Sequence, residues 1–437
     1  MGQQSQSATN TKLNRIAWLS RQDSGKKFEC LMHLFNQESL TECFHELDKN
    51  KAVGIDGVTK MAYEVKFYGN IEQLITKMKE MAYRPNPVRK VLIPKEGNPV
   101  SYRPLGISNL EDKIVQKMMQ KALESIYEPL FLESSHGFRP GKGCHTALRA
   151  LQNHLYKKEI RTVLDIDLKN FFGTIDHRLL ESILRNKIKD PKFMRYISRM
   201  FKAEVLTEEE LKMSEEGVPQ GSICSPVLSN IFAHFAIDTW IEEMVKPVCE
   251  GTVELFRYAD DGVICCQYEA DAIRIRQALV KRLAKFKLQL NEEKTKLVSF
   301  DMKAAAQGVK QGTFDFLGFT FYLGKARSGL VVPKLKTRAK AMRVKLKRVN
   351  KWAKQNRNKR LLKEIWKTFR AKLRGHIQYY GISHNIEKVN TFLYMATKIV
   401  FKWLNRRSQR KSFTWEKFKL YMRTNPLPKG KITHKLF

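Results

Sequence analysis

Apolar and polar positions follow two different rhythms along this chain. Ala339, Met342, Leu346, Val349 and Ala353 recur at spacings of three and four. Leu362, Ile365, Phe369 and Leu373 repeat the pattern, and Val389, Phe392, Ala396, Ile399 and Trp403 repeat it again. A period near 3.6 predicts three amphipathic helices, each offering one apolar stripe to a common core. Gly381 and residues 383–385 predict the break between the second and third. Elsewhere the signal is β-rich. Val88–Pro94 (VRKVLIP) stops at a proline, and residues 161–167 (RTVLDID) and 313–323 (TFDFLGFTFYL) read as strands. Residues 255–258 and 262–268 flank Ala259-Asp260-Asp261, which predicts a hairpin with acids at its turn. Residues 114–127 have helical spacing, and residues 51–59 (KAVGIDGVT) form a glycine-punctuated turn. Residues 1–27 lack a sustained apolar period and read as a loose arm. Strands and helices mixed without strict alternation predict an α+β fold rather than a doubly wound sheet.

Composition adds a partner to this picture. The 437 residues suit roughly three domains. At 43% hydrophobic and 28% charged, the chain can build a sizeable core, and wholesale disorder is excluded. The formal charge is +36, and it is uneven: of 80 Lys and Arg and 44 Asp and Glu, residues 325–437 hold 33 bases but only Glu364, Glu387 and Glu416 as acids. A nearly balanced body with a strongly basic last third points to a polyanion, nucleic acid or an anionic membrane. Packing of the apolar stripes on one another disfavours helices lying on a membrane, and no apolar run approaches the roughly 18 residues of a membrane span. The N-terminal MGQQSQSATN has no apolar core, so it is no signal peptide, and Gln6 breaks the myristoylation pattern. Seven cysteines without a C-x-x-C pair exclude a disulfide framework or structural zinc and fit a reducing, cytoplasmic setting. The scattered histidines show no zinc spacing.

The candidate chemistry lies in carboxylates. Adjacent aspartates repel, and a tight turn ordinarily uses one Asp beside Gly or Asn. Asp260 and Asp261 at a hairpin tip become favourable if a divalent cation neutralises them, and hard cations such as Mg²⁺ take carboxylate oxygens while leaving positions for phosphate. Asp167 ends another strand, Asp165 shares its face two residues earlier, and the following Leu168 offers no side-chain ligand. If those strands are neighbours, Asp167 and Asp260 could hold two metals about 4 Å apart for in-line phosphoryl transfer. Lys95 and Arg103 sit near a strand end where cations could hold a triphosphate. Pro219-Gln220-Gly221 makes a tight turn, and Pro226 marks a helix start. Among the bases coating the helices and the tail, Arg338, Lys345, Arg374, Arg406, Arg407 and Arg410 are candidate nucleic-acid contacts.

These residues fall into an ordered set of motifs: GIDGVT (54–59), IPK with RPLGI (93–107), HGFRPGKGCHTAL (136–148), DIDLKNFF (165–172), VPQGSICSPVLSNIF (218–232), RYADD (257–261), LNEEKT (290–295) and FLGFTF (316–321). The set resembles the reverse transcriptases encoded by bacterial group II introns, which also serve as intron maturases, over about residues 28–405. The resemblance implies a right-hand polymerase with fingers (28–150), an antiparallel-sheet palm (151–324) and a three-helix basic thumb (325–402, the maturase X domain), followed by a nucleic-acid-binding tail (403–437). It implies a catalytic triad of Asp167, Asp260 and Asp261, with Asp167 and Asp260 as the main ligands of two Mg²⁺ ions, for which Mn²⁺ could substitute. It places Lys95, Arg103, Gln220 and Lys294 at the incoming dNTP, Phe172 as an aromatic gate under the sugar, and Gly318 at the turn gripping the primer. The implied partners are intron RNA or another structured template, a DNA primer or target, and dNTPs. Two departures are visible: Gly173 stands where relatives often carry an acid, and the GSICSP block lacks a second glycine. No Cys/His-rich endonuclease segment follows the last cysteine, Cys266, so second-strand cleavage is not expected and a pre-existing primer strand would serve. A domesticated reverse transcriptase in DNA repair or phage defence, or a non-catalytic splicing cofactor, would carry much of the same sequence.

Overall fold

The computed structural model describes residues 7–94, 102–202, 205–206, 211–212, 221–407 and 414–436; of 103–104, 205–206 and 211–212 it describes the backbone only. The architecture is α+β, built on antiparallel sheets. Nine strands matter here: β1 (Val88–Pro94), β2 (Tyr102–Ile107), β3 (Thr162–Asp167), β4 (Val253–Tyr258), β5 (Asp261–Cys266), β6 (Lys296–Ser299), β7 (Phe314–Phe316), β8 (Phe319–Lys325) and β9 (Val331–Thr337). The central sheet runs β4-β5-β3-β6, with every neighbouring pair antiparallel. A second antiparallel sheet runs β9-β8-β7. The antiparallel β1–β2 hairpin belongs to a third sheet, in which β1 also pairs in parallel with Val205–Leu206.

The central sheet is buried on both faces, which explains the nearly continuous apolar runs of β3 and β5. Leu164, Ile166, Leu255 and Ile264 face one large core with helices Ser225–Ala233 and Glu269–Lys285. Val163, Val263 and Cys265 face the other way, against helix Cys144–Lys157 and the phenylalanines of β7 and β8. Cys265 and Cys266 are buried packing groups on opposite faces, and burial holds the Cys266 thiol up at about 12. Pro226 lies in the first turn of its helix, where a missing N–H costs nothing.

The three expected basic helices are present as Ala339–Asn356, Leu362–Tyr380 and Ile386–Leu404, around a core of their own. Two stripe positions differ: Ala339 is exposed, and Val400, not Ile399, is buried. Three expectations change. Of the expected loose arm 1–27, the described residues 7–27 are no loose arm, because Ala8–Gln22 is a helix with Ser7 as N-cap, docked on helix Leu110–Tyr127. Its inward face is Thr9, Leu13, Ile16 and Ser20, and the Ser20 hydroxyl donates to the Ile126 carbonyl at 2.6 Å. Small polar residues serve on that face, so an apolar count passes over it. A boundary at 324/325 falls inside the β8–β9 hairpin. Residues 414–436 are no trailing tail either: Trp415–Thr424 is a helix, and Phe418 and Leu436 are fully buried. The Thr433 N–H bonds the Gly381 carbonyl at 2.6 Å, and Arg149 donates to the Lys435 carbonyl at 2.9 Å. Those two bonds tie the last residues to both the basic helices and the sheet layer.

Candidate active site and nucleic-acid cleft

Strand pairing brings the acids together. The β3–β5 register sets Asp167 opposite Asp261, and the β4–β5 hairpin pairs Tyr258 with Asp261. The loop therefore contains only Ala259 and Asp260. Ala259 is buried and left-handed, at φ 58°. A non-glycine residue there costs about 1–2 kcal/mol, and such strain tends to be retained at working sites. Gly137 lies against this turn so closely that a Cβ would meet the Ala259 nitrogen at 2.3 Å. The HGFRP block is thus the cradle of the Tyr-Ala-Asp-Asp turn.

Asp165, Asp167 and Asp261 line one cleft of about 550 Å³, whose far wall is formed by Thr313–Gly318, Lys294, Arg338 and Lys340. Asp261 is exposed at the cleft mouth, yet partial desolvation first, then the charges of Asp260 and Asp167, raise its carboxyl to about 6. Burial, then Asp261 and Asp315, raises Asp165 to about 7. Crowded carboxylates that resist ionising are the donor set a hard divalent cation would offset. Among the described residues, no three His, Cys, Asp or Glu side chains converge as a metal cage. Asp260 stands at the hairpin tip beside Asp261 rather than on the paired strands.

The Lys294 ammonium lies 3.0 Å from Asp167 Oδ2. Asn291, from the same LNEEKT block, donates to that oxygen at 2.8 Å and was not singled out by sequence reasoning. Phe172 is half-buried on the short turn Phe171–Gly173, edge-on to Phe138 at 6.4 Å. Phe138 was also passed over; its backbone is left-handed (φ 56°), its ring is half exposed, and it contacts Tyr258 as well. Leu317 and Gly318 both take positive φ in a two-residue turn joining β7 to β8, which explains the glycine. The Tyr379 hydroxyl donates to the Leu317 carbonyl at 2.8 Å, fixing that turn against the second basic helix. Lys95, Gln220 and Arg410 lie outside the described residues, as does the side chain of Arg103.

The candidate basic contacts divide into separate places. Arg338 pairs with Asp315 at 2.9 Å on the cleft wall. From there a groove continues past Lys340, Lys345 and Arg348 between the turn and the first basic helix. Arg374 lies elsewhere, in a groove with Lys363, Lys367, Arg370 and Trp366. Arg406 stacks over Trp403 at 5.4 Å, and Arg407 donates to the Arg360 carbonyl at 3.2 Å.

An acidic sheet end opening into a basic groove is the layout of an enzyme that transfers nucleotidyl groups on nucleic acid. The chain belongs to the reverse transcriptase (RNA-dependent DNA polymerase) family, whose model matches residues 93–321, just over half its length. Several of its relatives are named for introns. It is 27% identical to the group II intron-encoded protein LtrA of Lactococcus lactis, over 88% of this chain and 75% of that protein. It is 31% identical to protein YkfC of Escherichia coli, over 65% of this chain and 83% of that one. A 91 kDa protein in the cob intron of Schizosaccharomyces pombe is 36% identical, but the match spans only 26% of that longer protein. No helix among the described residues is long and apolar enough to cross a membrane.

Proposed function

We propose that this protein copies RNA into DNA at the Asp167–Asp260–Asp261 site, and that it binds its host intron RNA to assist splicing and mobility. The observation that carries the reading is the pairing of Asp167 with Asp261 at the mouth of a basic groove. In this reading the central sheet is the palm, the β1–β2 hairpin belongs to the fingers, and the three basic helices are the thumb. Two Mg²⁺ ions held by Asp167 and Asp260 would supply activation of the primer 3′-hydroxyl and charge neutralisation on the leaving pyrophosphate. Asp261 supports them, Lys294 and Asn291 orient the Asp167 carboxylate, and Phe172 borders the sugar of the incoming nucleotide. The groove from Gly318 to Arg348 takes the primer–template backbone. The groove around Arg374 takes structured RNA, which is read chiefly through backbone and shape.

The test is primer extension on an RNA template with dNTPs and Mg²⁺, comparing wild type with Asp260→Asn. Wild type extends the primer, and the variant loses about 10³-fold or more in kcat with little change in RNA affinity. A wild type that binds structured RNA but extends no primer would instead make it a splicing cofactor.

A further inference from the structure

Arg257 precedes the active-site turn by two residues, yet its side chain points away from the cleft and is 2% exposed. Its Nε and Nη2 donate to the two oxygens of Asp238 at 2.7 and 2.6 Å, a bidentate fork. Its Nη1 donates to Asn230 Oδ1 at 3.1 Å and to the Ala259 carbonyl at 3.0 Å. The last bond reaches the residue in the left-handed conformation. Asn230 in turn donates to the Gly137 carbonyl at 2.5 Å, on the loop that presses on the Ala259 nitrogen. The Arg257 backbone exchanges bonds with that same loop, from its N–H to Ser134 and from His136 to its carbonyl. Asp238 closes a π-helical turn, His234–Asp238, an irregularity that often sits at functional positions. The strained turn is therefore clamped from both sides. A buried ion pair is weak evidence for stability, because well-packed apolar groups of the same volume serve as well. Here the pair delivers a directed hydrogen bond to one strained carbonyl, which apolar groups could not do.

We propose that Arg257 is a positioning residue for nucleotide addition, locking the Ala259 turn that holds Asp260 beside Asp261 at the edge of the cleft, with Asp238 and Asn230 fixing the guanidinium. This rests on the polymerase reading above. An inactive wild type would sink that reading itself, whereas an active wild type with unaffected variants would sink only this inference.

The experiment is steady-state single-nucleotide addition by wild type and Arg257→Lys, titrating Mg²⁺ and dNTP separately. Lysine keeps the charge and loses the fork. The expected result is a kcat lower by about tenfold and an Mg²⁺ half-saturation raised several-fold, with dNTP KM and primer–template Kd within about twofold. Adding Ala259→Gly to Arg257→Lys should recover about threefold or more of the lost kcat, since glycine takes the left-handed region without strain. The inference falls if Arg257→Lys keeps kcat within about twofold of wild type, or loses it only in proportion to unfolded protein with no Mg²⁺ shift. It also falls if the folded double variant recovers nothing. Should Arg257→Lys not fold at assay temperature, Asn230→Ser takes its place. A kcat loss of about threefold with the same Mg²⁺ shift supports the proposal, and an unchanged Mg²⁺ profile overturns it.

Discussion

At the scale of single residues, Asp112 shows burial overruling hydrogen bonds. Its carboxylate accepts the Tyr83 hydroxyl at 2.6 Å and the Asn86 N–H at 3.2 Å, joining helix Leu110–Tyr127 to the segment leading into β1. Burial still raises its pKa from 3.8 to about 6, against the lowering effect of both bonds. The folded state then holds a proton that the unfolded chain has released between these values, so this group's stabilisation is fully present below about 3.8 and lost as pH rises through 6. At 1.36 kcal/mol per pKa unit the swing is about 3 kcal/mol. Asp112→Asn abolishes it: urea unfolding of wild type and variant from pH 4 to 7 should show their difference moving by about that amount in the variant's favour. A constant difference would mean that Asp112 ionises normally. Neither this buried carboxylate nor the Arg257 clamp is visible in the sequence, because a charged residue reads as surface until burial and partners are known.

At the scale of elements, the turn between β7 and β8 carries the candidate primer grip. Gly318 has φ 80°, and a Cβ there would come within 3.1 Å of the Tyr380 hydroxyl. Gly318→Ala meets both a strained conformation and a crowded neighbour. It should destabilise the protein by about 1 kcal/mol or more. The larger effect should be on primer–template KM, raised several-fold while kcat at saturation holds. Primer-extension kinetics at varied primer–template concentration decide this, and an unchanged KM would remove the turn from the grip. Periodicity was enough to find the three basic helices, because each turns apolar residues toward one core, the first through little more than Val349 and Ala353. It missed Ala8–Gln22, whose inward face includes Thr9 and Ser20 beside Leu13 and Ile16.

At the scale of the whole molecule, part of the +36 charge lines two grooves. One continues from the acidic cleft past Lys340 and Arg348, and the other runs along Lys363, Lys367, Arg370 and Arg374. Neutralising Lys340 and Arg348 should weaken a short primer–template duplex and flatten its salt dependence by about 2 in log–log slope. Neutralising Arg370 and Arg374 should leave short-duplex binding nearly unchanged and weaken a structured RNA. Affinities measured across a salt series separate the two, and equal losses on both ligands would overturn the division. Deleting residues 403–437 is a poorer test, since it also strips Phe418 and Leu436 from two cores.

The sequence by itself determined the mixed α+β class, the hairpin bearing Asp260 and Asp261, the strand ending in Asp167, and the basic helical third. Each rests on local periodicity or on a motif whose residues are neighbours in the chain. Only the tertiary structure decided that Asp167 stands across from Asp261, that Asn291 and Lys294 share an Asp167 oxygen, and that Arg257 braces the turn through Asp238. Those contacts join residues far apart in sequence, and register, burial and hydrogen-bond direction are set only when the sheets and helices close on one another.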